Sequence, residues 1–114
     1  MAMKAEKHGE ELRVRLTGEF DHHCAGQIRE KIDALLFDPA IRVLTFDLKG
    51  VSFMDSSGIG VILARAAQMK RRRGRTRIAG ASGQIERVLR LSGVYTLVEK
   101  EEVGGKGKCR IKTV

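Results

Sequence analysis

The sequence of 114 residues has no tryptophan, one proline, one tyrosine and two cysteines. With 42% hydrophobic and 32% charged residues, so little proline excludes both a collagen-like and a disordered composition. Cys24 and Cys109 are too few and too far apart to form a disulfide framework, and both are expected as reduced thiols. No apolar run approaches the roughly 20 residues that a membrane-spanning helix needs. The opening Met1-Ala2-Met3-Lys4-Ala5-Glu6-Lys7 lacks the apolar core of a secretory signal, so a cytoplasmic domain is expected. The length suits one domain with one core, residues 1–114, and leaves too little chain for a second.

Charge is present in excess and unevenly distributed. The formal net charge is +8, from 22 Lys and Arg against 14 Asp and Glu. Residues 1–60 hold 8 basic and 10 acidic side chains, whereas residues 61–114 hold 14 and 4. The basic half centres on Lys70-Arg71-Arg72-Arg73-Gly74-Arg75-Thr76-Arg77. Such a block attracts phosphates or an acidic surface. It also suits the last turn of a helix, where cations favour the carbonyl end of the dipole. With no aromatic residues interleaved to stack on bases, the second reading is preferred and no direct nucleic-acid contact is expected.

Periodicity supplies the elements. Leu12, Val14 and Leu16 alternate with polar residues across residues 11–17, a half-buried strand. A weaker strand at Lys4–Lys7 would join it through a turn at Gly9. From Ala25, residues Ile28, Ile32, Leu35 and Leu36 share a helical face that should end near Asp38-Pro39. Ile41–Leu48 reads as a central strand. Ile59, Ile62, Leu63, Ala66 and Met69 then mark a helix that stops before Gly74. Arg77–Ala79 fits a short strand. Ser82 opens a third helix, with Glu86 favouring its positive end, a buried face of Ile85, Val88, Leu89 and Leu91 or Ser92, and a stop at Gly93. Val94–Val98 is expected as a last strand and about 99–114 as a mobile tail. The alternation implies an α/β layer with right-handed crossovers.

Two segments carry the candidate chemistry. In Asp55-Ser56-Ser57-Gly58-Ile59-Gly60, a serine falls in the N-cap region of a helix that follows a strand. A hydroxyl there is either a cap or a site of phosphorylation. Phosphate would add about −1.5 to −2 charges, which the helix N-terminus tolerates but a closely apposed partner would not. The second segment is Gly18-Glu19-Phe20-Asp21-His22-His23, also after a strand and so at the edge where α/β ligands bind. Read singly, Asp21 is a helix cap and the two histidines a solvated loop. His22-His23-Cys24 has metal-ligand residue types, but adjacent side chains rarely converge on one ion and no second cluster exists, so no metal is expected. Ser56, a histidine and Asp21 could be written as a hydrolase triad. No Gly-x-Ser-x-Gly elbow or phosphate-cradling loop accompanies them, so neither catalysis nor a cofactor is expected.

Leu16-Thr17-Gly18-Glu19-Phe20-Asp21-His22-His23 and Val51-Ser52-Phe53-Met54-Asp55-Ser56-Ser57-Gly58-Ile59-Gly60-Val61-Ile62-Leu63 together resemble the anti-sigma factor antagonists of the STAS-domain family. The Asp-His-His segment narrows the likeness to the sporulation type, which acts on the anti-sigma-F factor. The resemblance, over roughly Met3 to Val98, implies an α/β fold: a mixed, mostly parallel sheet of about four to five strands with helices packed on one side. It implies a partner that is both anti-sigma factor and serine kinase, and a phosphatase that reverses the modification. No membrane partner is implied. Residue by residue, it makes Ser56 the phosphoacceptor and places Asp21, Asp55, Ser57, Gly58, Ile59 and Gly60 at or beside the partner contact. A stress-response antagonist is the alternative within the family, and a small basic nucleic-acid-binding domain the alternative outside it. The Arg71–Arg73 run, Cys24 and the last residues depart from the family pattern.

Overall fold

The structure, a computed structural model, describes residues 1–101. Cys109 and most of the expected tail lie outside the described residues. Five strands form one sheet in chain order: β1 (Ala2–His8), β2 (Glu11–Phe20), β3 (Val43–Met54), β4 (Arg75–Ala79) and β5 (Glu99–Lys100). Between them come α1 (Ala25–Leu35), α2 (Ser56–Arg71) and α3 (Gly83–Leu91). β1 pairs antiparallel with β2 through a turn at Gly9, whose φ of 61° suits glycine; every later pair is parallel. Each parallel step is one strand further along the sheet, so right-handed crossovers lay all three helices on the same face.

Register decides what that face contains. Leu12 lies beside Leu44 and Val14 beside Phe46, while Phe46 lies beside Ile78 on its other flank. These residues, with Leu16 and Leu48, meet Ile28 and Ile32 of α1, Ile62 and Met69 of α2, and Ile85 and Leu89 of α3 in one buried core. The opposite face is polar. Arg13 forks onto Glu101 at 3.1 Å on both nitrogens, Arg15 reaches Asp47, Arg77 reaches Glu99, and the Thr45 hydroxyl donates to Glu11 at 2.6 Å. The run from Leu44 to Leu48 is therefore buried on both sides for different reasons: its odd members lie under side chains of neighbouring strands and not under a helix.

Several expectations require correction. Leu35 and Leu91 do not join the core; Leu91 is 81% exposed, and Ser92 is exposed with its hydroxyl bonded to the Leu89 carbonyl. Val94–Val98 is not a strand: Val94–Thr96 forms a 3-10 turn after Gly93, which takes φ 80°, and β5 begins only at Glu99. Two apolar side chains, Val94 and Val98, still enter the core from the turn, which is why the segment resembles a strand in sequence. Glu86 does lie in the first turn of α3, as expected, but its carboxylate has further work. It accepts from Tyr95 Oη at 2.6 Å, Arg90 and Lys100, tying that turn to β5. Burial and then the Glu86 carboxylate push the Tyr95 phenol upward, so it keeps the proton it donates.

Candidate functional site

The site is set by one pairing. Phe20 and Met54 are the last partners in the β2–β3 ladder, so the residues after them, Asp21 and Asp55, leave the sheet side by side. Two register shifts in this ladder, after Arg15 and after Gly18, bend the strand ends just before that point. The Asp55 amide also donates to the Phe20 carbonyl at 3.3 Å, closing the junction.

Asp55 is the cap of α2; the serines are not. Its backbone is extended, and Oδ1 accepts from the amides of Ser57 at 2.8 Å and Gly58 at 3.3 Å. Its Oδ2 accepts from the His22 amide at 3.2 Å. Desolvation pulls its pKa upward, but the Ser57, Gly58 and His22 amides outweigh this and hold it below the ordinary carboxylate value. Ser56 is thereby relieved of capping. It is the first residue of α2 and is exposed. Ser57, half-buried, turns toward α1, where it lines a groove with Ala25, Gly26, Arg29, Gly60 and Arg65.

Asp21 is likewise not a helix cap. Its Oδ1 accepts from the His23 amide at 2.9 Å, an Asx turn, and its carbonyl accepts from the amides of Cys24 and Ala25. Cys24 occupies the cap position of α1 without a side-chain bond to the helix, its thiol donating instead to the Glu19 carbonyl at 3.3 Å. Desolvation raises Asp21 and the His23 contacts lower it further, for a net downward shift.

The two histidines, expected as solvated loop, are exposed but ordered by these carboxylates. Nδ1 of His22 lies 3.6 Å from Asp55 and Nδ1 of His23 lies 3.5 Å from Asp21, while the two rings sit 4.0 Å apart. No spacing rule marks the His22–Asp55 pairing in sequence, because those partners are 33 residues apart and meet only through the ladder. Among the described residues no group of His, Cys, Asp and Glu has the arrangement of a metal site.

The structure thus brings Asp21, Asp55, Ser56 and Ser57 to one edge, with Gly60 exposed on the first turn of α2. Gly58 and Ile59 lie beneath it, buried. A Cβ on Gly58 would stand 2.8 Å from the Phe20 carbonyl, so that glycine permits the close approach of α2 to β2.

A chain-ordered mixed sheet with a capped Asp-Ser-Ser-Gly turn at the strand ends defines a class, and the STAS-domain family model matches residues 2–103. The chain belongs to the STAS-domain family. Within that family its relatives are anti-sigma factor antagonists. It is 41% identical over 81 residues to the anti-sigma F factor antagonist of Lysinibacillus sphaericus, covering 71% of this chain and 69% of the relative. With the anti-sigma F factor antagonist of Paenibacillus polymyxa, identity is 32% over 98 residues, with coverage of 86% and 84%. The solved structure of unphosphorylated SpoIIAA, an anti-sigma factor antagonist, superposes with a TM-score of 0.71 at 31% identity, covering 90% of each chain. The phosphorylated form of Bacillus SpoIIAA also gives 0.71, at 33% identity over 90% of this chain and 93% of that one.

Proposed function

We propose that this chain is a phosphorylation-switched antagonist. Its unmodified form binds an anti-sigma factor that is also a serine kinase and so releases a sigma factor; phosphorylation of Ser56 ends that binding, and a serine phosphatase restores it. The observation that carries the reading is the division of labour at the α2 turn. Asp55 does the capping, which leaves the Ser56 hydroxyl exposed and without a structural duty, while Ser57 faces the α1 groove.

The chemistry asks little of this chain. A kinase brings ATP, Mg²⁺ and the catalytic base, and its substrate need only present a hydroxyl. A phosphate on the first residue of α2 sits where backbone N–H groups and the helix dipole favour negative charge, so the fold survives modification. Beside it stand Asp21 and Asp55, both held ionised, so a partner closing on this edge would meet a concentrated negative field and a phosphate to desolvate. Asp21, Asp55, Ser57 and Gly60 are the surface the partner would contact. Gly58 and Ile59 act through the shape of the turn beneath it.

Sporulation is the favoured circuit because the relatives above 30% identity carry the anti-sigma F name. The anti-sigma-B factor antagonist of Bacillus subtilis is 29% identical over 89 residues, and a stress-response role is the second reading. Intact-mass spectrometry after incubation with an anti-sigma-F-type kinase and Mg-ATP, with peptide mapping, tests the proposal. One phosphoryl group on Ser56 is expected. An unmodified chain, in a reaction where the kinase binds it and is active, would overturn the switch; modification by an anti-sigma-B-type kinase alone would move it to the second circuit.

A further inference from the structure

The end of the molecule opposite the Asp55 turn has a composition that neither the fold nor the proposed switch uses. All three helices run back against the parallel strands, so their C-terminal ends gather where β2, β3 and β4 begin. Within residues 70–73, Arg72 alone is absorbed structurally: its guanidinium donates to the carbonyls of Leu36 at 2.6 Å, Asp38 at 3.2 Å and Ile41 at 3.3 Å. Lys70, Arg71 and Arg73 are exposed, as is Arg42 just before β3, one nitrogen of which donates to the Arg72 carbonyl at 3.0 Å. Among the described residues none of those four has a carboxylate within ion-pair distance. Nearby acids are already engaged: Asp38 holds Lys7, and Glu99 holds Arg75 and Arg77, leaving Glu10 in the β1–β2 turn.

The same end carries the most exposed large apolar side chains of the described chain. Phe37, after α1, is 87% exposed; Leu91, ending α3, is 81%; and Leu97, before β5, is 56%. Phe37 follows Leu36, whose carbonyl is held by Arg72, so the apolar tip and the cations share one surface. An apolar set rimmed by unpaired cations is the pattern of a surface that lies on anionic lipid.

We propose that this end docks peripherally on an anionic membrane surface, with Arg42, Lys70, Arg71 and Arg73 on the headgroup phosphates and Phe37, Leu91 and Leu97 at the headgroup boundary. Two of the three apolar groups are leucines, which offer no π-face for base stacking, and this favours lipid over nucleic acid. In this pose the Asp55 turn points away from the membrane, so docking is independent of the Ser56 switch.

Flotation of the full chain with vesicles tests this. Co-flotation is expected with mixed phosphatidylglycerol and phosphatidylcholine vesicles at low salt, and its loss with phosphatidylcholine alone or at high salt. Arg71→Glu and Arg73→Glu should each weaken binding at least about fivefold. Phe37→Ser should weaken it about tenfold, with melting temperature unchanged in all three variants. Absence of flotation, equal flotation on neutral vesicles, or indifference to either class of variant would overturn the proposal. So would tighter binding to a single-stranded oligonucleotide than to the anionic vesicles.

Discussion

At the scale of the residue, the α2 turn separates two neighbours that look interchangeable in sequence. Ser56 and Ser57 are both plausible caps by type, but the carboxylate of Asp55 just before them takes two of the orphan amides and leaves the hydroxyls to other uses. Ser56→Ala should therefore shift unfolding free energy by no more than about 0.5 kcal/mol in urea titration, the range of an uninvolved surface position. It should keep partner binding and abolish phosphorylation, and Ser56→Asp should weaken partner affinity, read by titration calorimetry. A loss of fold in Ser56→Ala would return the serine to a capping role. Gly58 is the opposite case, a site residue whose work is packing. Gly58→Ala forces its new methyl against the Phe20 carbonyl and the Met54 side chain, and should cost about 1–3 kcal/mol of stability as overpacking does.

At the scale of the element, the basic run shows how one stretch of like residues divides by geometry. α2 ends at Arg71, and Arg72 turns inward because the α1 C-terminus presents carbonyls that lack helical partners. Gly74 follows because a Cβ there would strike the Arg42 carbonyl, so the chain can enter β4 only with glycine. Arg72→Ala leaves those carbonyls without their charged donor and should cost about 1.5–3 kcal/mol by urea denaturation. Arg71→Ala should stay within about 0.5 kcal/mol of the parent in the same titration. Equal effects of the two would mean that Arg72 is not the staple.

At the scale of the whole molecule, acid should be the condition that finds the fold weakest. Lys7 and then the Ala40 amide hold Asp38 below its ordinary pKa. For Asp21, Asp55 and Glu86, desolvation acts upward, but their donors prevail and each is also lowered. A carboxyl lowered on folding binds fewer protons in the native state, so its stabilisation is complete above the unfolded value of about 4 and lost as pH falls through the folded one. Urea midpoints should thus be flat from neutral pH to about 5 and fall below about 4. A decline that begins well above this range would overturn the assignment to these carboxylates.

Much of this architecture was legible in the sequence for a simple reason: strands and helices announce themselves by which residues must be buried, and the periods at Leu12–Leu16, Ile28–Leu36 and Ile59–Met69 are unambiguous. The position of the Asp-Ser-Ser-Gly turn at a helix start was legible too, although by sequence the cap falls to a serine and in the structure it falls to Asp55. The misplacements share a cause. Leu35 and Leu91 have the right residue type but are the last residues of their helices and stay exposed, and Val94–Val98 has a strand's content but a turn's path. By itself the sequence determined the order of elements, the core-facing stripes and the two loops that form the candidate site. Tertiary structure alone decided that Asp55 also takes the His22 amide, that Asp21 and Asp55 stand together, and that Arg72 is spent while its neighbours are not. Those are contacts between residues about 30 or more positions apart, and only the register of β2 on β3 and the return of each helix across the sheet brings them within hydrogen-bond reach.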